Sequence, residues 1–209
     1  MLLCKDVIEI KNSVDFIKIK DDYRVFYGGS QQWFKDEKLK KVGCSIVAAA
    51  NIIAYLSLKT KNEDLYNYKD LSKENFINLM NNISGYLNPN EKIGIISSLY
   101  FIEGVKKFAI SKGVKLSANW ITSEYDYDEI KSFIENSLKK DIPIVMLMFR
   151  NRKLEEFDWH WMTITKISEY VDKEYLCVST WGERRSISLE DFYIYSHYGT
   201  LLNFNIVNP

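Results

Sequence analysis

The sequence is poor in the residues that build disulfide frameworks, metal sites and flexible linkers. Its 209 residues include three cysteines, two histidines, three prolines and nine glycines. Cys4, Cys44 and Cys177 have no paired spacing, which argues against a disulfide framework and against a CxxC zinc site. The two histidines lie far apart and no P-loop or dinucleotide glycine pattern is present, so we expect neither a metal site nor a cofactor.

The sequence also lacks an excess of charge and a long apolar run. Lys plus Arg number 28 and Asp plus Glu number 28, so no net field attracts nucleic acid, and we expect no nucleic-acid partner. No run approaches the length that spans a bilayer, and the first residues hold too few apolar side chains for a signal-peptide core. We therefore expect a cytoplasmic protein without a membrane partner.

The chain reads as one domain over residues 1–209, because no repeat, low-complexity tract or Pro/Gly-rich linker divides it. Apolar periodicity predicts helices in residues 1–140. Besides the run that begins at Cys44, "SKENFINLMNNI" has Ser72 as a predicted N-cap, "SSLYFIEGVKKFAISKG" aligns Leu99 with Ile102 and Val105, and "DYDEIKSFIENSLKK" ends in two lysines.

From about residue 141 onward, apolar residues recur at every second position. The segments "IPIVMLMF", "WHWMTITKI", "YLCVSTW", "RSISL" and "LLNFNIV" predict short strands of an antiparallel sheet. "VKLSANWIT" is a further strand candidate whose place the sequence leaves open. Helices followed by strands predict an α+β fold, with a mainly helical lobe over residues 1–140 and a sheet lobe over residues 141–209.

The stretch "KKVGCSIVAAANIIAYL" sets Cys44 at the start of an apolar helix. The N-terminus of a helix favours negative charge, and Lys40 and Lys41 lie just upstream, so we predict a thiol pKa below the ordinary value of about 8.5. Gly43 would keep bulk away from the attacked face. Alternatively, Cys44 is a small buried hydrophobe.

A nucleophilic thiol needs a base, and His160 is the candidate. It lies between two tryptophans at the start of the strand "HWMTITKI", where it is either a catalytic imidazole or a packed core histidine. His197, in "IYSHYGT", reads as a loop residue.

The order "GCSIVAAANIIAYL", then "HWMTI", then "STWG" resembles the papain-like cysteine peptidases, and most closely their bacterial C39-like branch. The resemblance implies a central helix that begins with the nucleophile, Cys44, and a sheet lobe that carries the general base and acid, His160. It implies that Trp181, which precedes Gly182, shields the contact that orients His160. The orienting asparagine or aspartate of the family falls on Ser179, a departure that removes a stronger acceptor.

Two further roles follow from the resemblance. Asp158 is a substitute for Ser179 if it shares the strand face of His160; otherwise it is a solvated edge charge. The oxyanion donor falls on Gln31, with Gln32 as the alternative, and "KDEKLKK" is then an inserted loop. Without this role both glutamines are surface residues beside a turn.

The function implied is a hydrolase that cleaves a peptide amide or a thioester through a thiolate–imidazolium pair and an acyl-enzyme. Its partner is a peptide or acyl substrate. Three alternatives remain from the sequence: an acyltransferase or transpeptidase using the same site, a catalytically silent papain-like binding domain, and a structural protein in which Cys44 and His160 lie apart.

Overall fold

The protein is described here by a computed structural model that covers residues 5–207. Within this range it has nine strands, β1 (Lys5–Glu9), β2 (Lys18–Lys20), β3 (Val25–Tyr27), β4 (Leu116–Thr122), β5 (Ile144–Asn151), β6 (His160–Tyr170), β7 (Lys173–Thr180), β8 (Glu183–Ser188) and β9 (Ser196–Ile206). The same residues form six α-helices, α1 (Glu37–Val42), α2 (Cys44–Thr60), α3 (Lys73–Ser84), α4 (Ser98–Ser111), α5 (Tyr127–Lys139) and α6 (Leu189–Tyr195). The predicted α+β class is confirmed.

The strands β4, β9, β5, β6, β7 and β8 lie in this order in one antiparallel sheet, and β1 pairs with β6 beside them. The five strands predicted after residue 141 are all present in it. β4, whose place the sequence left open, pairs with β9 along its whole length at the sheet edge. Since β1 and β4 precede residue 141, the first part of the chain also contributes to the sheet.

Helix α2 forms the centre of the molecule and packs on β6. Every residue from Cys44 to Ser57 is buried, as expected for a helix that is apolar nearly all round. Each large apolar side chain buried in this way contributes about 1.5–3 kcal/mol to folding. The helix therefore holds its first residue on a rigid base.

The predicted helices α3 and α4 are both present, and one residue predicted for the buried face of α4 is exposed. Ser72 caps α3, its hydroxyl accepting a hydrogen bond from the Asn75 N–H at 3.2 Å. Leu99, predicted in the core, lies exposed in the first turn of α4. Phe101 is buried instead, because its ring stacks on Trp161 with centroids 4.4 Å apart.

Three segments differ from the prediction. "KDEKLKK" is not a loop but largely helix α1, which Asp36 caps by accepting from the Lys38 N–H at 2.8 Å. Helix α6, capped by Ser188, was not predicted. His197 lies in β9 rather than in a loop, because α6 runs directly into that strand.

None of the helices in residues 5–207 is long and apolar enough to cross a membrane. One hydrophobic cluster contains side chains of the central helix, the outer helices and the large sheet. The two regions that the periodicity distinguishes therefore share a core.

Candidate active site

Cys44 is the first residue of α2 and follows Gly43, which ends α1. A Cβ atom at position 43 would collide with the Leu39 backbone oxygen and the Phe34 ring. The glycine therefore allows α1 to end against α2 and Phe34, and the predicted role in keeping the attacked face clear is not what requires it.

The thiol of Cys44 is more deeply buried than the sequence indicates. Only 6% of the residue is exposed. Burial raises the pKa of Cys44, and the backbone N–H groups of Trp161 and Ser45 offset this only in part. The predicted lowering of the pKa is therefore wrong for this structure, because loss of water outweighs the helix terminus. Lys40 is also paired with Glu37 at 2.5 Å.

His160 is the first residue of β6, and 7% of it is exposed. Its Nε2 atom lies 2.6 Å from the Thr180 hydroxyl oxygen. The Trp181 ring stacks on the imidazole, with centroids 4.6 Å apart and planes 26° apart. Burial lowers the pKa of His160 to about 4, so the ring is neutral at neutral pH.

Together these shifts replace the predicted thiolate–imidazolium pair by a neutral thiol and a neutral imidazole. No hydrogen bond joins Cys44 to His160 among the described residues, where Thr180 is the imidazole's hydrogen-bond partner. The Nδ1 atom of His160 has no hydrogen-bond partner among the described residues.

Ser179 does not orient His160. Its hydroxyl donates to the Tyr27 backbone oxygen at 2.8 Å and accepts from Asn51 Nδ2 at 3.3 Å. Successive strand residues point to opposite faces, and Ser179 pairs with Thr163 in the sheet. The hydroxyl that reaches the imidazole therefore belongs to the next residue, Thr180, and it meets the Nε2 atom.

Asp158 does not contact the imidazole either. Its carboxylate accepts from the backbone N–H groups of Asn151 at 3.1 Å and Trp159 at 2.9 Å. The prediction assumed a continuous strand, but Trp159 has a φ of 57° and β6 begins only at His160. The left-handed residue breaks the alternation that would have put both side chains on one face.

The two glutamines take different positions. Gln31 is 8% exposed, and its Nε2 atom donates to the backbone oxygens of Lys40 at 2.7 Å and Lys41 at 3.2 Å. Gln32 is exposed, and its longer bond to Lys40 O measures 3.4 Å. Gln31 alone of the two lines a cavity with Cys44.

Two adjoining cavities contain both Cys44 and His160. The first is an open cleft of about 210 Å³ between the end of α1, the loop 92–95 and the segment 158–160. The second is a narrow gap of about 10 Å³ behind it, which Gln31, Asn51, Thr180 and Trp181 also line. The structure thus brings Gln31, Cys44, His160 and Trp181 to one place, with Asp158 at the mouth of the cleft.

Sequence reasoning missed Asn51, which is 1% exposed at the centre of the site. Its Oδ1 atom accepts from the Gly29 N–H at 3.0 Å, and its Nδ2 atom donates to Thr163 and Ser179, each at 3.3 Å. A single amide in the apolar run "AAANII" was the available signal, because a buried polar group needs partners.

Other reactive groups lie outside this site. Cys177 is a free, buried thiol on β7, and Cys4 lies outside the described residues. Within residues 5–207, no three His, Cys, Asp or Glu side chains cluster as metal ligands would.

Comparison with known proteins provides information on the fold of the chain. No family model and no curated protein matches the sequence. Among solved structures, the chain is similar to the crystal structure of UfSP from C. elegans, a cysteine protease, with a TM-score of 0.52 and 9% sequence identity. The match covers 98% of this chain and 34% of that chain, so this protein spans about a third of the length of its neighbour. At this identity the similarity concerns the fold alone, and the chain has a papain-like α+β fold.

Proposed function

We propose that the protein is a papain-like cysteine hydrolase that cleaves a peptide amide or a thioester through an acyl-enzyme on Cys44. The observation that carries the proposal is the shared cleft of Cys44 and His160, which come from the start of the central helix and the start of a central strand. The fold similarity to a cysteine protease is consistent with it. The finer C39-like placement rests on the "GC...AAAN" and "HW" segments alone.

The reaction begins with a neutral pair. The Cys44 sulfur attacks the carbonyl carbon while its proton passes to Nδ1 of His160, and the carbonyl π electrons move to oxygen. This step uses the tautomer with its proton on Nε2, which donates to the Thr180 oxygen and leaves Nδ1 free to accept. The imidazolium then gives its proton to the departing amine or thiolate as that bond breaks. Water next attacks the thioester and loses its proton to His160, which returns it to the sulfur as the acid leaves.

The oxyanion is held by the Cys44 backbone N–H and by Gln31 Nε2. In the present geometry both hydrogens of that amide face carbonyl oxygens. Gln31 must therefore release the longer bond, to Lys41 O, when the oxyanion forms. A donor of this kind typically contributes about 10²–10³-fold to the rate.

The experiment uses p-nitrophenyl acetate and intact-mass detection of an acetyl group on Cys44. We expect an adduct that forms and then disappears as water hydrolyses it. His160→Ala is expected to slow its formation by about 10²–10⁴-fold, because the base is lost. Cys44→Ser, in which the nucleophile is weaker, serves as the matched control for position.

The alternatives give different outcomes. Glycinamide can be added at millimolar concentration as an amine that competes with water for the acetyl group on Cys44. Transfer of most of the acetyl group to glycinamide would favour an acyltransferase. Two results would contradict the proposal and favour a silent binding domain. One is a folded protein that forms no acetyl adduct at Cys44, and the other is an acetylation rate that is the same in His160→Ala as in the native protein.

The pH dependence distinguishes the neutral pair from a preformed ion pair. Because the pKa of Cys44 is raised, alkylation of this thiol by iodoacetamide should increase only as the pH rises past the ordinary range of thiols. A plateau of fast alkylation that extends below neutral pH would show a resting thiolate.

A further inference from the structure

The cleft in front of Cys44 is lined by two positively charged side chains and one negatively charged side chain. Lys41 stands on the wall formed by the end of α1, Lys92 stands on the opposite loop, and Asp158 closes the third side. The loop is held in place by paired backbone bonds between Asn90 and Gly94, at 2.9 and 3.1 Å. The positions of both walls are therefore defined by the fold.

Most of the nearby charges cancel. Lys38 pairs with Glu91 at 3.5 Å, and Lys40 pairs with Glu37. Asp158 keeps its negative charge, and its carboxylate accepts hydrogen bonds from the backbone N–H groups of Asn151 and Trp159. The cations of Lys41 and Lys92, in contrast, have no carboxylate partner among residues 5–207.

We infer that the substrate carries a carboxylate beside the bond that is cleaved, placed between Lys41 and Lys92. This inference rests on the proposed function, since it concerns what lies next to the acylated carbonyl. The two lysines outnumber the single carboxylate of Asp158 among the residues that line the cleft, so the cleft favours an anion, although the molecule as a whole has no net charge. An acidic side chain next to the scissile amide, or a free carboxylate on an acyl group, supplies that charge.

A pair of small electrophiles tests the inference without knowledge of the substrate. Iodoacetate and iodoacetamide alkylate the same thiol and differ in one negative charge. For Cys44 we measure the rate constant for iodoacetate divided by that for iodoacetamide, and normalise it to the same ratio for 2-mercaptoethanol. We expect a normalised ratio of about ten at low salt. Lys41→Gln and Lys92→Gln should each lower this ratio by several-fold, and about 0.5 M NaCl should lower it in the native protein.

The matched control is Lys107→Gln, which removes an exposed cation on α4 away from both cavities and should leave the ratio unchanged. A ratio of one or less at a Cys44 that iodoacetamide labels readily would overturn the inference and leave the proposed function standing. An equal fall in the ratio with Lys107→Gln would also overturn it, because the effect would then come from overall charge. Both rates are measured at a pH above the ordinary range of thiols, where the pKa of Cys44 allows reaction. A Cys44 that resists both reagents even there would overturn the proposed function and this inference with it.

Discussion

At the scale of single residues, Ser179 and Thr180 differ in whether their hydroxyl contacts His160. They are neighbours on β7, and both carry a buried hydroxyl. Ser179 bonds to Tyr27 and Asn51, whereas Thr180 bonds to the imidazole of His160. We therefore assign the orientation of His160 to Thr180, as a positioning residue.

We predict that Thr180→Val, which keeps the shape but removes the hydroxyl, lowers the acylation rate of Cys44 by about 10- to 100-fold. The cause is a buried imidazole without its partner, a loss of about 1–3 kcal/mol. Thr180→Ser should restore most of the rate. The measurement is the p-nitrophenyl acetate acylation rate across pH, and unchanged rate and pH profile for Thr180→Val would contradict the assignment.

The adjacent substitution Ser179→Ala is the comparison. It removes bonds to the Tyr27 carbonyl and to Asn51, so we expect a lower free energy of unfolding, by about 1–2 kcal/mol, with the pH profile of acylation retained. Denaturant unfolding measures the first effect. A changed pH profile in Ser179→Ala would return the orienting role to Ser179.

At the scale of elements, helix α2 connects the parts of the site through Asn51. This amide links the helix to the loop that precedes Gln31, to β6 after His160, and to β7 before Thr180. The loop before Gln31 and the two strands that carry His160 and Thr180 are thus fixed to the helix that carries Cys44. Gly28 fits this junction because a Cβ there would meet Ser179 and Asn51.

We predict that Asn51→Ala lowers the acylation rate at least about tenfold under conditions where the protein stays folded, and lowers stability by about 2–3 kcal/mol. Its partners, which include the Gly29 N–H, lose their bonds, and the elements that carry them become free to shift. The measurements are acylation rate and urea unfolding of the same preparation.

Ser57→Ala is the matched control on the same helix. Ser57 is also fully buried, and its hydroxyl bonds to the backbone oxygens of Asn62 and Tyr66, at the opposite end of α2. We expect it to lower stability without lowering the acylation rate of the folded protein. An equal loss of rate in both variants would mean that Asn51 acts through stability alone.

At the scale of the whole molecule, burial of the site makes folding depend on pH. Burial lowers the pKa of His160 from 6.5 to about 4. Between these values the unfolded chain binds a proton at this residue and the folded chain does not. The free energy of unfolding therefore falls as the pH falls through this window, and it is independent of this group above the window.

We predict that the native protein loses up to about 3 kcal/mol between pH 6.5 and pH 4 through this histidine. In His160→Gln this contribution is absent, so the total loss of stability between pH 6.5 and pH 4 should be smaller by about 3 kcal/mol. Urea unfolding at several pH values measures the slope. His197→Gln, which replaces the exposed histidine of β9, is the control for the loss of a histidine side chain. Equal slopes for His160→Gln and the native protein would contradict the burial argument.

Much of the fold could be predicted from local pattern. The apolar run of α2, the Ser72 cap and the alternation in β5 to β9 are properties of short segments, and each was confirmed. Helix α6 and the place of β4 could not be predicted in this way, since a short helix and an edge strand depend on what they pack against.

The sequence by itself determined the chemical types in the site: a thiol at a helix start, an imidazole at a strand start and a tryptophan before Gly182. The tertiary structure decided which hydroxyl meets the imidazole, which glutamine lines the narrow gap beside Cys44 and in which direction burial shifts the pKa values of the pair. The physical reason is that strand register, the left-handed turn at Trp159 and the removal of water are set by segments far apart in the chain. Composition and spacing within a segment carry no information about them.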